Sequence, residues 1–261
     1  MIAILYGIIV LLATALGATT GAGGGAIIKP VFDLLGVDNV TTISIYSTIA
    51  VFSMCLSSLY KHAKSGLGFD KVIMLLLATG SLLGGYLGDQ IFKLVTQSIS
   101  NSKVTATQAI LLFFVLLAVL VFTSNKDRFP KYHIRNKILV FGFGLLVGAL
   151  SVFIGIGGGP LNIIVLLGFM SMSAKESTAY SIGMIFFAQF PKMISIITLN
   201  QNATFNPVII PIIVVTAILG GYIGTKINHL FTEKQVTMMY CLMMTGLLMT
   251  CLVNMVNNLS F

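Results

Sequence analysis

Two stretches of the 261-residue chain place glycine where an apolar segment would otherwise run on as helix. They are GAGGGAIIKP, with Gly21, Gly23, Gly24 and Gly25, and GIGGGP, with Gly155, Gly157, Gly158 and Gly159. Each glycine costs a helix interior about 0.8–1.0 kcal/mol relative to alanine, so clusters this dense mark a break in the helix rather than a packing face. A helix that restarts after such a break directs unpaired N–H groups and a partial positive charge inward, an arrangement suited to an anion. Two breaks facing each other would converge on one oxyanion. On this reading alanine at Gly24 or Gly158 should abolish anion binding and leave the fold intact.

Other side chains fit the same chemistry. Hydroxyls follow each cluster at Ser44, Tyr46, Ser47 and Thr48, and again at Ser177, Thr178, Tyr180 and Ser181. Ser47 and Ser181 are the strongest candidates for neutral donors, and Asn162 is a weaker one. Lys192, beside Pro191 in the middle of an apolar run, would add a full positive charge, since charged groups in such runs are functional candidates by default. Lys29 and Asp33 stand four apart and are expected to pair with each other, with ion coupling as the alternative role. Asp33 is read as the only carboxylate placed within the membrane, with Asp38, Asp70, Asp89, Asp127, Glu176 and Glu233 assigned to loops or helix ends.

The elements that must position these groups are membrane helices. The chain is 57% hydrophobic and 8% charged, with mean hydropathy +1.01, which points to an integral membrane protein in contact with the lipid bilayer. The +8 formal charge sits in short connections, where the positive-inside rule accounts for it without nucleic acid. Cys55, Cys241 and Cys251 form no CxxC pair, and His62, His133 and His229 form no cluster with them. No metal, no cofactor and no catalytic constellation is expected, and the chain is read as a non-enzyme.

Long apolar runs occupy 2–20, 40–60, 70–96, 104–123, 137–154, 174–199, 206–230 and 234–256, with short runs at 26–36 and 160–172. The glycine clusters and the Tyr46-Ser47 and Tyr180-Ser181 pairs repeat at an offset of 134, and GGYLG at 84–88 returns as GGYIG at 220–224 at an offset of 136. The GGYLG and GGYIG glycines are read as close helix packing. The chain therefore divides into a first repeat, 1–123, a cytoplasmic linker, 124–136, and a second repeat, 137–261.

If each glycine break returns the chain to its starting side, Lys61, Lys64, Lys71, Lys126, Arg128, Lys131, Arg135, Lys137, Lys175, Lys226 and Lys234 share one side, opposite Lys93 and Lys103. That bias favours inverted repeats, with residues 200–206 and both termini extracytoplasmic. The expected fold is an all-α polytopic membrane protein of two inverted-topology repeats. Each has three full helices plus a broken or re-entrant Gly-interrupted helical pair, giving eight long segments, or about ten crossings if the short runs span.

GAGGGAIIKP followed by Ser44-Ile45-Tyr46-Ser47-Thr48, repeated as GIGGGP followed by Thr178-Ala179-Tyr180-Ser181, resembles the TauE/SafE family of sulfite and sulfonate exporters over essentially the whole chain. The resemblance implies a multi-pass carrier of the bacterial cytoplasmic membrane. Its substrate would be a small anion such as sulfite, thiosulfate or sulfoacetate, moved by alternating access with export favoured. An anion-selective channel or a carrier of small carboxylates is the alternative, and a homodimer is an open alternative to a monomer.

Overall fold

The computed structural model describes residues 2–64, 70–125, 132–198, 206 and 208–259, with side chains described throughout except at 101–102 and 254–259. Lys126, Arg128 and Lys131 of the linker, residues 200–205 and the last two residues lie outside the described residues. Ten α-helices follow in order: α1 Ile2–Thr20, α2 Gly25–Leu35, α3 Val40–Lys64, α4 Lys71–Ser98, α5 Asn101–Ser124, α6 Lys137–Ile154, α7 Gly159–Ile164, α8 Ala174–Thr198, α9 Ile209–Leu230 and α10 Glu233–Leu259. A π-helical turn, Val165–Phe169, extends α7. Among the described residues, eight helices are long and apolar enough to cross a membrane. They correspond to the eight long runs.

The short helices settle where the chain goes after each glycine break. At about 16 Å, α2 covers only half of a bilayer core. It starts beside the middle of α1, where a Cβ on Gly24 would lie 2.8 Å from Thr14 Cγ2. It ends beside the start of α1, where the Phe32 and Tyr6 rings stack at 4.1 Å and the Tyr6 hydroxyl donates to Asp38 at 2.7 Å. The same geometry recurs in α7, whose glycine break packs on Ser151 in α6 and whose π-helical turn comes back beside Phe143 and Tyr132. Each short helix thus runs back alongside the helix that precedes its break.

Helix directions follow from contacts that run in step. Gly7 meets Ile212 and Thr216, while Gly220 and Gly224 meet Leu11 and Ala15, so α1 and α9 are parallel. Gly80, Gly84 and Gly88 pack in turn on Phe141, Leu145 and Ala149, so α4 and α6 are parallel. Ser44 at the start of α3 meets Lys192 late in α8, so those two are antiparallel. The expected packing role of GGYLG and GGYIG is seen directly, because a Cβ on these glycines would press into a neighbouring backbone.

The two sequence halves interleave. Helix α4 packs against α6 and α8, α9 packs against α1 and α3, and α5 pairs with α10. One core joins α1, α3, α8 and α9 through Tyr6, Tyr46, Met54 and Ile213; another joins α4, α6 and α8 through Leu77, Val147 and Met184.

Candidate functional site

The glycine clusters meet in the interior, and every glycine in them is buried. A Cβ on Gly159 would run into the Ala22 carbonyl, and one on Gly25 would lie 2.9 Å from the Ile156 carbonyl oxygen. These two contacts exchange under the 134-residue offset. The breaks themselves need glycine, since Gly21, Gly23, Gly155 and Gly157 all have φ between +72 and +82°.

Ser47 and Ser181 hold this crossing together. Ser181 Oγ donates to the Gly21 carbonyl at 2.6 Å and Ser47 Oγ donates to the Gly155 carbonyl at 3.4 Å, so each half fastens the glycine loop of the other. Asn162 joins the first of these, its Nδ2 donating to Ser181 O and Oγ at 3.2 Å each. In the structure the protons of both hydroxyls are directed at these backbone carbonyls.

Two of the expected anion-facing amides are also committed elsewhere. Gly23 N–H donates to Gly17 O at 3.3 Å and Gly155 N–H to Ser151 O at 3.0 Å, each extending the preceding helix by a turn. Alanine at Gly158 is not the clean test expected of it. Gly158 has φ +86° and its Cβ would collide with the Ser151 side chain, whose Oγ already donates to the Val147 carbonyl.

Lys192 is 4% exposed. Its Nζ donates to Ser44 Oγ at 2.6 Å and sits 4.5 Å from the centre of the Phe92 ring, a cation–π distance. It lines a cavity of about 290 Å³ between α3, α4 and α8 that also includes Thr41, Ser44, Asp89, Phe92 and Lys93. The link to the glycine crossing is short: a Cβ on Gly155 would lie 3.9 Å from Ser44 Oγ and 2.8 Å from Lys29 Cδ. Lys29 pairs with Asp33 at 3.1 Å, as the spacing predicts.

Asp89 is a correction to the sequence reading. It lies well inside α4, 3% exposed, and accepts from Lys93 Nζ at 2.7 Å; the same ammonium donates to Ser195 Oγ at 2.6 Å. Gln189 was also missed. It is buried one turn before Lys192 on α8, and its Nε2 would lie 3.7 Å from a Cβ on Gly157, between the cavity and the glycine crossing.

A surface groove of about 330 Å³, lined by Tyr60, Lys61, Lys64, Tyr222 and His229, lies elsewhere, with Tyr60 and Tyr222 over half exposed. On α3 it lies some 19 residues from the cavity, about 28 Å along the helix, and therefore at the opposite end of the bundle. Lys61, Lys64, Arg135, Lys137, Lys175 and Lys226 gather at this end, tied together by Arg135 facing Asp70, Tyr180 binding Asp70 N–H, and Lys175 bound to His229 O.

Two glycine breaks closed by reciprocal serines thus lie inside a bundle that contains, among the described residues, eight helices long and apolar enough to cross a membrane. A comparison with curated proteins returned no match. Residues 6–250 match the family model described as sulfite exporter TauE/SafE, and the chain belongs to that family.

Proposed function

We propose that this family member, a multi-pass membrane transporter of the sulfur-anion class, carries sulfite, thiosulfate or a small sulfonate such as sulfoacetate by alternating access, chiefly outward. The observation that carries the reading is the glycine crossing itself, closed by reciprocal serine bonds in the interior of the bundle. A channel needs a continuous path, whereas a carrier needs a barrier that opens to one side at a time.

Inverted repeats supply the symmetry for such a switch. Helices α1, α3 and α9 run opposite to their counterparts α6, α8 and α4, so exchanging the conformations of the halves would exchange the open side. Because the sequence halves interleave, the rocking bodies would be α1, α3 and α9 against α4, α6 and α8. The basic end faces the cytoplasm on the positive-inside rule. For a monoanion leaving a negative-inside cell the membrane potential contributes about 2.3 kcal/mol per 100 mV.

The test is countertransport in proteoliposomes. Efflux of radiolabelled sulfite should saturate and should accelerate when the unlabelled anion is placed on the far side. Flux that rises linearly without trans-stimulation would overturn the carrier reading in favour of a channel.

A further inference from the structure

We infer that the cavity between α3, α4 and α8 is an outward-side binding subsite for an anion of single charge, with Lys192 setting that valence and Asp89 rejecting a second charge. The inference rests on the transport reading above and narrows it to monoanions, hydrogensulfite or a simple sulfonate, against the dianions thiosulfate and sulfoacetate.

The charges around the cavity balance in pairs with one left over. Lys29 is neutralised by Asp33 at 3.1 Å and Lys93 by Asp89 at 2.7 Å. Lys192 has a neutral hydroxyl and an aromatic face as neighbours. Among the described residues no carboxylate comes within 4.0 Å of its ammonium. Asp89, held by Lys93, is the carboxylate that acts on Lys192 at longer range, so the buried ammonium has no contact partner of opposite charge, a cost that one negative charge on a ligand offsets. A second negative charge would have no partner of its own and would meet Asp89 in the cavity wall.

The repeat shows that the scaffold does not need these charges. Counting 134 or 136 positions across, Lys192 corresponds to Ser58, Asp89 to Thr225, Lys29 to Ile163 and Asp33 to Leu167. Ser58 and Thr225 satisfy their places with hydrogen bonds to Gly221 O. The positions that correspond to Lys192, Asp89, Lys29 and Asp33 are thus filled by neutral groups, while Lys93 corresponds to His229. Phe92, Ile45 and Ile196 add an apolar wall beside Lys192 that would take the short organic part of a sulfonate.

The experiment is calorimetric titration of the full chain in detergent with methanesulfonate and sulfate, which are close in size and differ in charge, and with acetate as a sulfur-free monoanion. Wild-type protein should bind methanesulfonate about ten-fold or more tightly than sulfate. Asp89→Asn should narrow that ratio, and Lys192→Met should remove methanesulfonate binding while Lys192→Arg restores part of it. Size exclusion checks that each variant is folded, and the wild-type ratio decides the matter even if Asp89→Asn does not fold. Sulfate binding as tightly as methanesulfonate, or Lys192→Met binding normally, would overturn the inference. Acetate binding through Lys192 with no sulfur anion bound would retain the monoanion subsite and sink the sulfur-anion reading instead; no binding by any of the three would sink both.

Discussion

Ser181 Oγ donates to the carbonyl of Gly21 across 160 positions of sequence, at 2.6 Å, and its repeat counterpart Ser47 donates to Gly155 at a longer 3.4 Å. Each bond ties one half to the broken helix of the other. The two differ in strength, because the longer one sits at the limit of hydrogen-bonding distance.

Ser181→Ala should therefore destabilise the protein more than Ser47→Ala. It strips the buried Gly21 carbonyl of its donor and leaves the Asn162 amide only the Ser181 carbonyl, a loss of about 1–3 kcal/mol. Thermal unfolding in detergent, followed by size exclusion, gives the ranking. Equal shifts for the two variants would mean that the asymmetry has no energetic weight.

Glycine substitutions should divide sharply by position. Gly159→Ala places a methyl group against the Ala22 backbone and should prevent a monodisperse preparation, whereas Gly246, exposed on α10 with nothing within 4 Å of its Cβ, should accept alanine. The second change should be stabilising, toward the roughly 0.8–1.0 kcal/mol helix preference of alanine over glycine. Expression and melting temperature of the two variants check both statements.

Lys29 and Asp33, with side chains 3% and 9% exposed, form a buried pair whose counterparts are Ile163 and Leu167. Removing Lys29 alone as Lys29→Ile leaves an unpaired buried carboxylate and should cost about 3–5 kcal/mol. Adding Asp33→Leu copies the other half and should recover most of that loss. A double variant no more stable than Lys29→Ile would show that the pair does more than neutralise itself.

The sidedness of the bundle is tested by labelling. Single cysteines at Asn125 and Asn206, in a background with Cys55, Cys241 and Cys251 replaced, should react with an impermeant reagent from opposite faces of the membrane. Reaction from the same face would be incompatible with an odd number of crossings between them.

Much of this was legible in the chain itself. Apolar runs of bilayer length located all eight long helices to within a few residues, because burial in lipid requires unbroken apolar helix. The glycine clusters located the breaks, since no other residue occupies positive φ so readily. The 134-residue offset identified Ser47 and Ser181 as a pair. The i,i+4 spacing identified the Lys29–Asp33 bond.

What the serines bind, and where Asp89 lies, came only from the tertiary structure. A hydroxyl's partner is chosen by whatever backbone is brought within reach, and the carbonyls of Gly21 and Gly155 arrive from the opposite half of the chain. Asp89 reads as a helix end because Asp-Gln and Lys93 interrupt the apolar run; packing of α4 against α8 encloses that segment and supplies Ser195 to share its lysine. The interleaving of the halves is equally silent in sequence. Composition and periodicity fix which segments enter the membrane, while the choice of neighbours rests on close backbone approach at Gly84, Gly88, Gly220 and Gly224, a property of two surfaces together that neither helix carries alone.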